Sequence, residues 1–208
     1  MRSLRFVFCA AALAAAFSAC AKTSLTNLWR VEGEPAPLGN IMVVSLERNE
    51  ELRDMWEDAI VAEFQANGVM ARPAHALFPT ALPDTQQVVV VANRDKYDGI
   101  VVAHRLAASY TGKSDNDYAK NAPSGAGQYW RGWYHTHFMA ASQAAPTSPD
   151  EKKLAYQIDL ANTSGGGSLM WTGSTTVLDP HDAEKVQKDV CGELVSELMR
   201  RGYVAKRK

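Results

Sequence analysis

The feature that most constrains this chain is the alternation, between residues 40 and 106, of short apolar runs with amphipathic stretches of helical period. Ile41-Met42-Val43-Val44-Ser45-Leu46 is a continuous apolar run of strand length, which reads as a buried strand. Asn49 then offers a helix cap, and Glu50 and Glu51 suit the positive end of the dipole behind it. Leu52, Met55, Trp56, Ala59, Ile60 and Phe64 recur at helical spacing until Gly68 supplies a left-handed stop. Val69 to Ala71 predicts a second short strand, and Asp84 can cap another helix running to about Lys96. Val88 to Val91 argues for a strand there, since β-branched side chains favour extended backbone. A helix is nevertheless expected, because parallel strands need a crossover. Asp98-Gly99 turns into the strand Ile100-Val101-Val102-Ala103-His104-Arg105-Leu106.

The second half reads differently. Residues 110–128 are polar and glycine-rich and predict a long loop. Gln128 to Ala140, dense in aromatics, reads as a long strand, followed by a polar loop over 141–150. Lys153–Ala161 and Leu169–Leu178 suggest a hairpin about Asn162-Thr163-Ser164-Gly165-Gly166-Gly167. Asp179 as cap and Pro180 as first residue open a last helix, whose apolar stripe is Val186, Val190, Cys191, Leu194 and Leu198. The fold class expected is α/β (α+β), a mixed sheet of about five to six strands with helices packed on it and an antiparallel C-terminal meander.

The N-terminus speaks to location. Arg2 and Arg5, an apolar run from Phe6 to Phe17, then Ser18-Ala19-Cys20 follow the basic, apolar, small-residue order of a secretory signal peptide. The run is shorter than the roughly 20 residues that span a bilayer. Cys20 sits where a bacterial lipobox places its acylated cysteine, although Phe17 replaces the usual aliphatic residue; cleavage after Ala21 is the alternative. The expected organisation is a signal peptide over 1–19, a lipid-anchored flexible tether over 20–39, one α/β domain over 40–204, and a basic tail over 205–208. Losing Arg2 and Arg5 leaves 20 basic against 23 acidic residues and moves the net charge from −1 to −3, which argues against nucleic acid as a partner. With Cys9 in the leader and Cys20 as anchor, only Cys191 remains, so neither an internal disulfide nor a thiolate zinc site is expected.

The strand Ile41–Leu46, the acidic capped helix after it, the step Tyr97-Asp98-Gly99-Ile100-Val101-Val102 and the hairpin ending in Leu169-Met170-Trp171-Thr172-Gly173, together with the lipobox, resemble a loose superfamily of Gram-negative envelope lipoproteins. Their domain is similar to the amino-terminal domain of TolB, and relatives include the curli-export lipoprotein. The resemblance implies a non-catalytic adaptor or assembly role. It also implies anchoring in the outer membrane, since Ala21 follows the anchor rather than the aspartate that retains such proteins in the inner membrane. The partners implied are the membrane and an envelope protein or a second copy of the chain.

Among chemistry-bearing residues, His135 and His137 share one face if residues 128–140 are a strand, and His104 on another strand can join them as metal ligands. The competing reading is a half-buried strand whose histidines pair with neighbours or water. On that strand Tyr129, Arg131, Trp133, His135 and His137 would share one face and Trp130, Tyr134 and Phe138 the other. One face would pack under a helix and the other, if exposed, would bind a partner, so Tyr129, Trp130, Trp133 and Tyr134 are the candidate partner-binding residues, the competing reading being that both faces are covered. Thr111-Gly112-Lys113-Ser114 lacks the first glycine and the apolar helix of a phosphate-binding loop, and Gly165-Gly166-Gly167-Ser168 lacks the spacing of a nucleophile elbow. No complete catalytic motif is present, and no cofactor is expected. The alternatives to an adaptor are a metal-assisted hydrolase built on the histidines, and a small-ligand-binding domain with a pocket between the loops at 107–128 and 141–150.

Overall fold

The structure, a computed structural model, describes residues 25–106, 130–148, 150–164, 167–178 and 180–206. The leader with Cys20, the expected loop over 107–128 with its Thr111–Ser114 and its side of the expected ligand pocket, and Tyr129 lie outside these residues. The strands are β1 (Leu25–Arg30), β2 (Asn40–Ser45), β3 (Met70–Pro73), β4 (Gly99–Arg105), β5 (Lys153–Asn162) and β6 (Ser168–Leu178). The helices are α1 (Glu50–Ala66), α2 (Thr85–Arg94), α3 (Trp130–Gln143), α4 (Ala183–Val186) and α5 (Gly192–Arg200), the last two joined by the π-helical turn Gln187–Cys191. One six-stranded mixed sheet has the order β1-β6-β5-β4-β2-β3. β2 pairs in parallel with β3 and β4, whereas β4, β5, β6 and β1 are successively antiparallel. Among the described residues no helix is long and apolar enough to cross a membrane.

Local chemistry accounts for the helix ends. Asn49 Oδ1 accepts from the Leu52 amide at 3.1 Å, and Gly68, at φ 76°, takes the left-handed turn beyond α1. At α2, Asp84 accepts from the Gln87 amide while the Gln87 side chain accepts from the Asp84 amide, both at 2.8 Å. This capping box, with Val88, Val91 and Ala92 buried against the sheet, overrides the strand preference of four consecutive valines. Asp84→Ala is expected to cost about 1 kcal/mol of stability; a thermal melt equal to that of the parent would show that the cap is not formed in solution.

Both sheet faces are covered. Ile41, Val43, Val101, Ile158 and Leu160 pack with Trp56, Ile60 and Phe64 of α1 and with Val186, Val190, Cys191, Leu194 and Leu198 of the closing helical run. Met42, Val44, Ile100 and Val102 pack beneath Val88 and Val91 of α2 and Trp130, Trp133 and Tyr134 of α3. This is why the β2 and β4 runs are continuously apolar, as parallel strands buried on both faces are.

Three expectations require correction. Residues 130–143 are a helix, not a strand. Trp130, Trp133, Tyr134, His137, Phe138 and Ala141 fall on one helical stripe, and that 3–4 spacing outweighs the β preference of the individual aromatics. Part of the segment read as a tether, Leu25–Arg30, instead pairs with β6, so the sheet gains an edge strand where β6 would otherwise present unpaired backbone. The last helix begins at Ala183 with Asp182 as its cap, accepting from the Lys185 amide at 3.1 Å, rather than at Asp179 and Pro180. The hairpin of β5 and β6 forms as expected. Its Gly167, at φ 69°, lies so close to Trp130 that a Cβ would stand 1.8 Å from the indole Cδ1, so a side chain at this position is incompatible with the seat of that tryptophan.

Candidate functional site

The connections around β2 set up a cleft. From β2 the chain crosses through α1 to β3 at the sheet edge, then returns through α2 to β4 on the other side of β2. Crossovers of one hand running in opposite directions place their helices on opposite faces, and α1 and α2 do belong to the two different cores. In open α/β sheets, the gap beyond the carboxyl ends of the strands at such a reversal is where ligands bind. Here it is a cleft of about 210 Å³, lined by Leu46, Glu47 and Arg48 after β2, by His104, Arg105 and Leu106 at the end of β4, by His137, Ala140 and Ala141 of α3, and by Ala144 and Ala145.

One wall is braced by ionic and polar contacts. The Glu47 carboxylate accepts from Thr147 Oγ1 at 2.7 Å and from the Arg48 amide at 2.9 Å. Arg105 donates to Thr147 Oγ1 at 3.0 Å, to Glu151 Oε2 at 3.3 Å and to the Ala145 carbonyl at 2.9 Å. Arg48 donates to the Ala144 carbonyl at 2.7 Å. These bonds tie the segment after α3 to the ends of β2 and β4.

The deeper wall carries a buried polar cluster. His104, 7% exposed, follows Ile100 and Val102 on the face beneath α3. The β4–β5 register pairs Val102 with Asp159 and His104 with Gln157, which brings the fully buried Asp159 beside the His104 ring. Asp159 accepts from Gln157 Nε2 at 2.9 Å and from Thr172 Oγ1 at 2.5 Å. His104 Nε2 stands 3.4 Å from Asp159 Oδ2 but is not aligned as a donor, and among the described residues it has no hydrogen-bond partner. Helix α3 lays the His137 ring over His104 with centroids 4.1 Å apart, and Trp133 flanks His137 at 4.8 Å. Burial, and then the neighbouring His104, push the His137 pKa down to about 4 against the opposing pull of Asp159. His137 is therefore a neutral imidazole near pH 7, the form that binds metal.

Of the proposed histidine ligands, the structure unites His104 and His137 and separates His135. On a helix, two residues apart means different faces; His135 is exposed, with Nδ1 3.5 Å from Thr85 Oγ1. Asp159 completes the group: one ligand atom each from His104, His137 and Asp159 lie within 4.8 Å of one another. Tyr156-Gln157-Ile158-Asp159-Leu160 alternates apolar and polar residues, so the sequence puts Asp159 in the polar phase with Gln157, and nothing local signals its burial beneath α3.

The aromatic face is also corrected. Trp130, Trp133 and Tyr134 are buried in the core between α3 and the sheet, and the Tyr134 hydroxyl donates to the Pro83 carbonyl at 2.8 Å. None of the three presents an exposed partner surface. A second charged group, outside the cleft, is bracing: the buried Glu57 carboxylate accepts from the amides of Ser45 and His75 at 2.9 and 2.6 Å, with the His75 ring 3.0 Å away. Burial raises the Glu57 pKa, and these donors oppose the rise.

No family model and no curated protein matches this sequence. Among solved structures, the chain is similar to the PelC dodecamer from Paraburkholderia phytofirmans in a P6 crystal, with 10% identity over 84% of this chain and 96% of that one, at a TM-score of 0.44. A variant of the same dodecamer in a C2 crystal gives 10% identity, the same coverage and a TM-score of 0.46.

Proposed function

We propose that this chain is a lipid-anchored, non-catalytic module of the bacterial cell envelope, held at the periplasmic side of the outer membrane through Cys20. The observation that carries this reading is the leader, basic at Arg2 and Arg5, apolar from Phe6 to Phe17 and closed by Ser18-Ala19-Cys20. The resemblance to envelope lipoproteins with a TolB-like domain supports it. Its partner is another envelope protein or a second copy of the chain, met on a surface other than the buried Trp130, Trp133 and Tyr134. One acyl chain holds a protein at a membrane only marginally, and multiple chains hold it stably, so a fully acylated Cys20 carries the whole attachment. Cys20→Ser is expected to move the protein from the membrane fraction to the soluble periplasm. Retention of the variant in membranes at the parental level would overturn the reading.

A second reading, a small-ligand-binding domain, is favoured by the position of the cleft at the carboxyl ends of β2 and β4. It is compatible with the first, since a tethered domain can carry a ligand site.

A further inference from the structure

We propose that His104, His137 and Asp159 form a binding site for one divalent first-row transition-metal ion, at the inner wall of the cleft between the ends of β4 and α3. Three observations converge. The three side chains come from different elements, and their ligand atoms lie within 4.8 Å of one another. His104 Nε2 is enclosed, with its side chain only 9% exposed, and without a hydrogen-bond partner among the described residues. A buried imidazole nitrogen left in that state is costly, and a metal ion at this position would satisfy it. The carboxylate is already oriented by Gln157 and Thr172, the kind of supporting shell that fixes a metal-binding carboxylate.

Geometry and donor type set the class of ion. Tetrahedral coordination with bonds of about 2 Å places ligand atoms about 3.3 Å apart, and His104 Nε2 and Asp159 Oδ2 are separated by 3.4 Å. His137, half-buried on α3, has its ligand atom within 4.8 Å of the other two, so coordination requires its ring to turn. Two imidazoles and one carboxylate suit zinc, and the same donor set suits ferrous iron, whereas magnesium and calcium favour oxygen ligands. Both histidines line the cleft, so the coordination positions left open by three protein ligands face it, as in metal sites that bind water or a further ligand.

The test is metal binding by the purified full chain, apart from any membrane assay, so its outcome is separate from that of lipidation at Cys20. After chelation and removal of the chelator, Zn²⁺ is titrated calorimetrically, Co²⁺ is added to look for the visible absorption of a four-coordinate ion, and Mg²⁺ serves as control. Elemental analysis of protein as purified distinguishes zinc from iron. One Zn²⁺ per chain is expected, with no response to Mg²⁺. Thr172→Val, which leaves the ligands in place and removes one support of Asp159, is expected to weaken Zn²⁺ binding roughly 10–100-fold. His137→Gln is expected to weaken it at least as much, and His135→Gln to leave it unchanged. Absence of stoichiometric binding to the parent protein overturns the proposal. So does parental affinity in His137→Gln, or a loss in His75→Gln that His137→Gln does not share.

Discussion

Trp133→Ala is expected to lower stability by about 3–5 kcal/mol, the cost of truncating a large aromatic in a packed core. In a chain of this size each kcal/mol shifts the melting temperature by about 2–4 °C, so a fall on the order of 10 °C should be read in a thermal melt. The side chain is 5% exposed and packs between α3 and the sheet, with its ring 4.8 Å from His137. Its indole N–H has no hydrogen-bond partner among the described residues. The loss is therefore one of apolar contact, and Trp133→Phe should recover much of it. Arg131→Ala, exposed on the same helix, should stay within about 0.5 kcal/mol of the parent. A Trp133→Ala melt equal to that of the parent would mean that α3 does not dock as described, and would return its aromatics to the surface.

The second large effect is expected at Asp159. Asp159→Ala removes the acceptor that serves Gln157 Nε2 and Thr172 Oγ1 and leaves His104 without its neighbouring carboxylate. Each buried donor left without its acceptor costs about 1–3 kcal/mol, because it stays desolvated. The measurement is a denaturant titration in chelator, so that any bound metal does not add to the difference. Combining Asp159→Ala with Thr172→Val separates the network from the cavity: the pair should cost less than the sum of the singles, since the second change removes a donor already orphaned by the first. Strict additivity would show that the Thr172–Asp159 bond contributes nothing in solution.

These two residues also mark where reading the sequence succeeded and where it did not. The alternation of Ile41–Leu46, the capped helix from Glu50 and the Ile100–Leu106 run lead correctly to parallel strands joined by helices, because each signal is local. A cap involves residues two or three apart, and a continuous apolar run reports burial on both faces. The stretch 130–143 contained both periods. Taken two apart, its aromatics and histidines form a strand face; taken three and four apart, Trp130, Trp133, Tyr134, His137 and Ala141 form a helix stripe. Weighting the β preference of single aromatics over the spacing led to the strand, and with it to an exposed aromatic face and a pairing of His135 with His137.

What the sequence determined by itself is the α/β class, the positions and caps of α1 and α2, the β5–β6 hairpin and the apolar stripe of the closing helix, all of them consequences of interactions within a few residues. Only the tertiary structure decided that Leu25–Arg30 completes the sheet, that Trp133 is core, and that His104 faces His137 and Asp159. Those outcomes depend on relations between distant segments. The β4–β5 register brings Asp159 beside His104, and a shift by one residue would turn it to the opposite face. The docking of α3 brings His137 over His104. Neither register nor docking has a local signature, because both are set by which apolar surfaces can be buried together once the whole sheet exists.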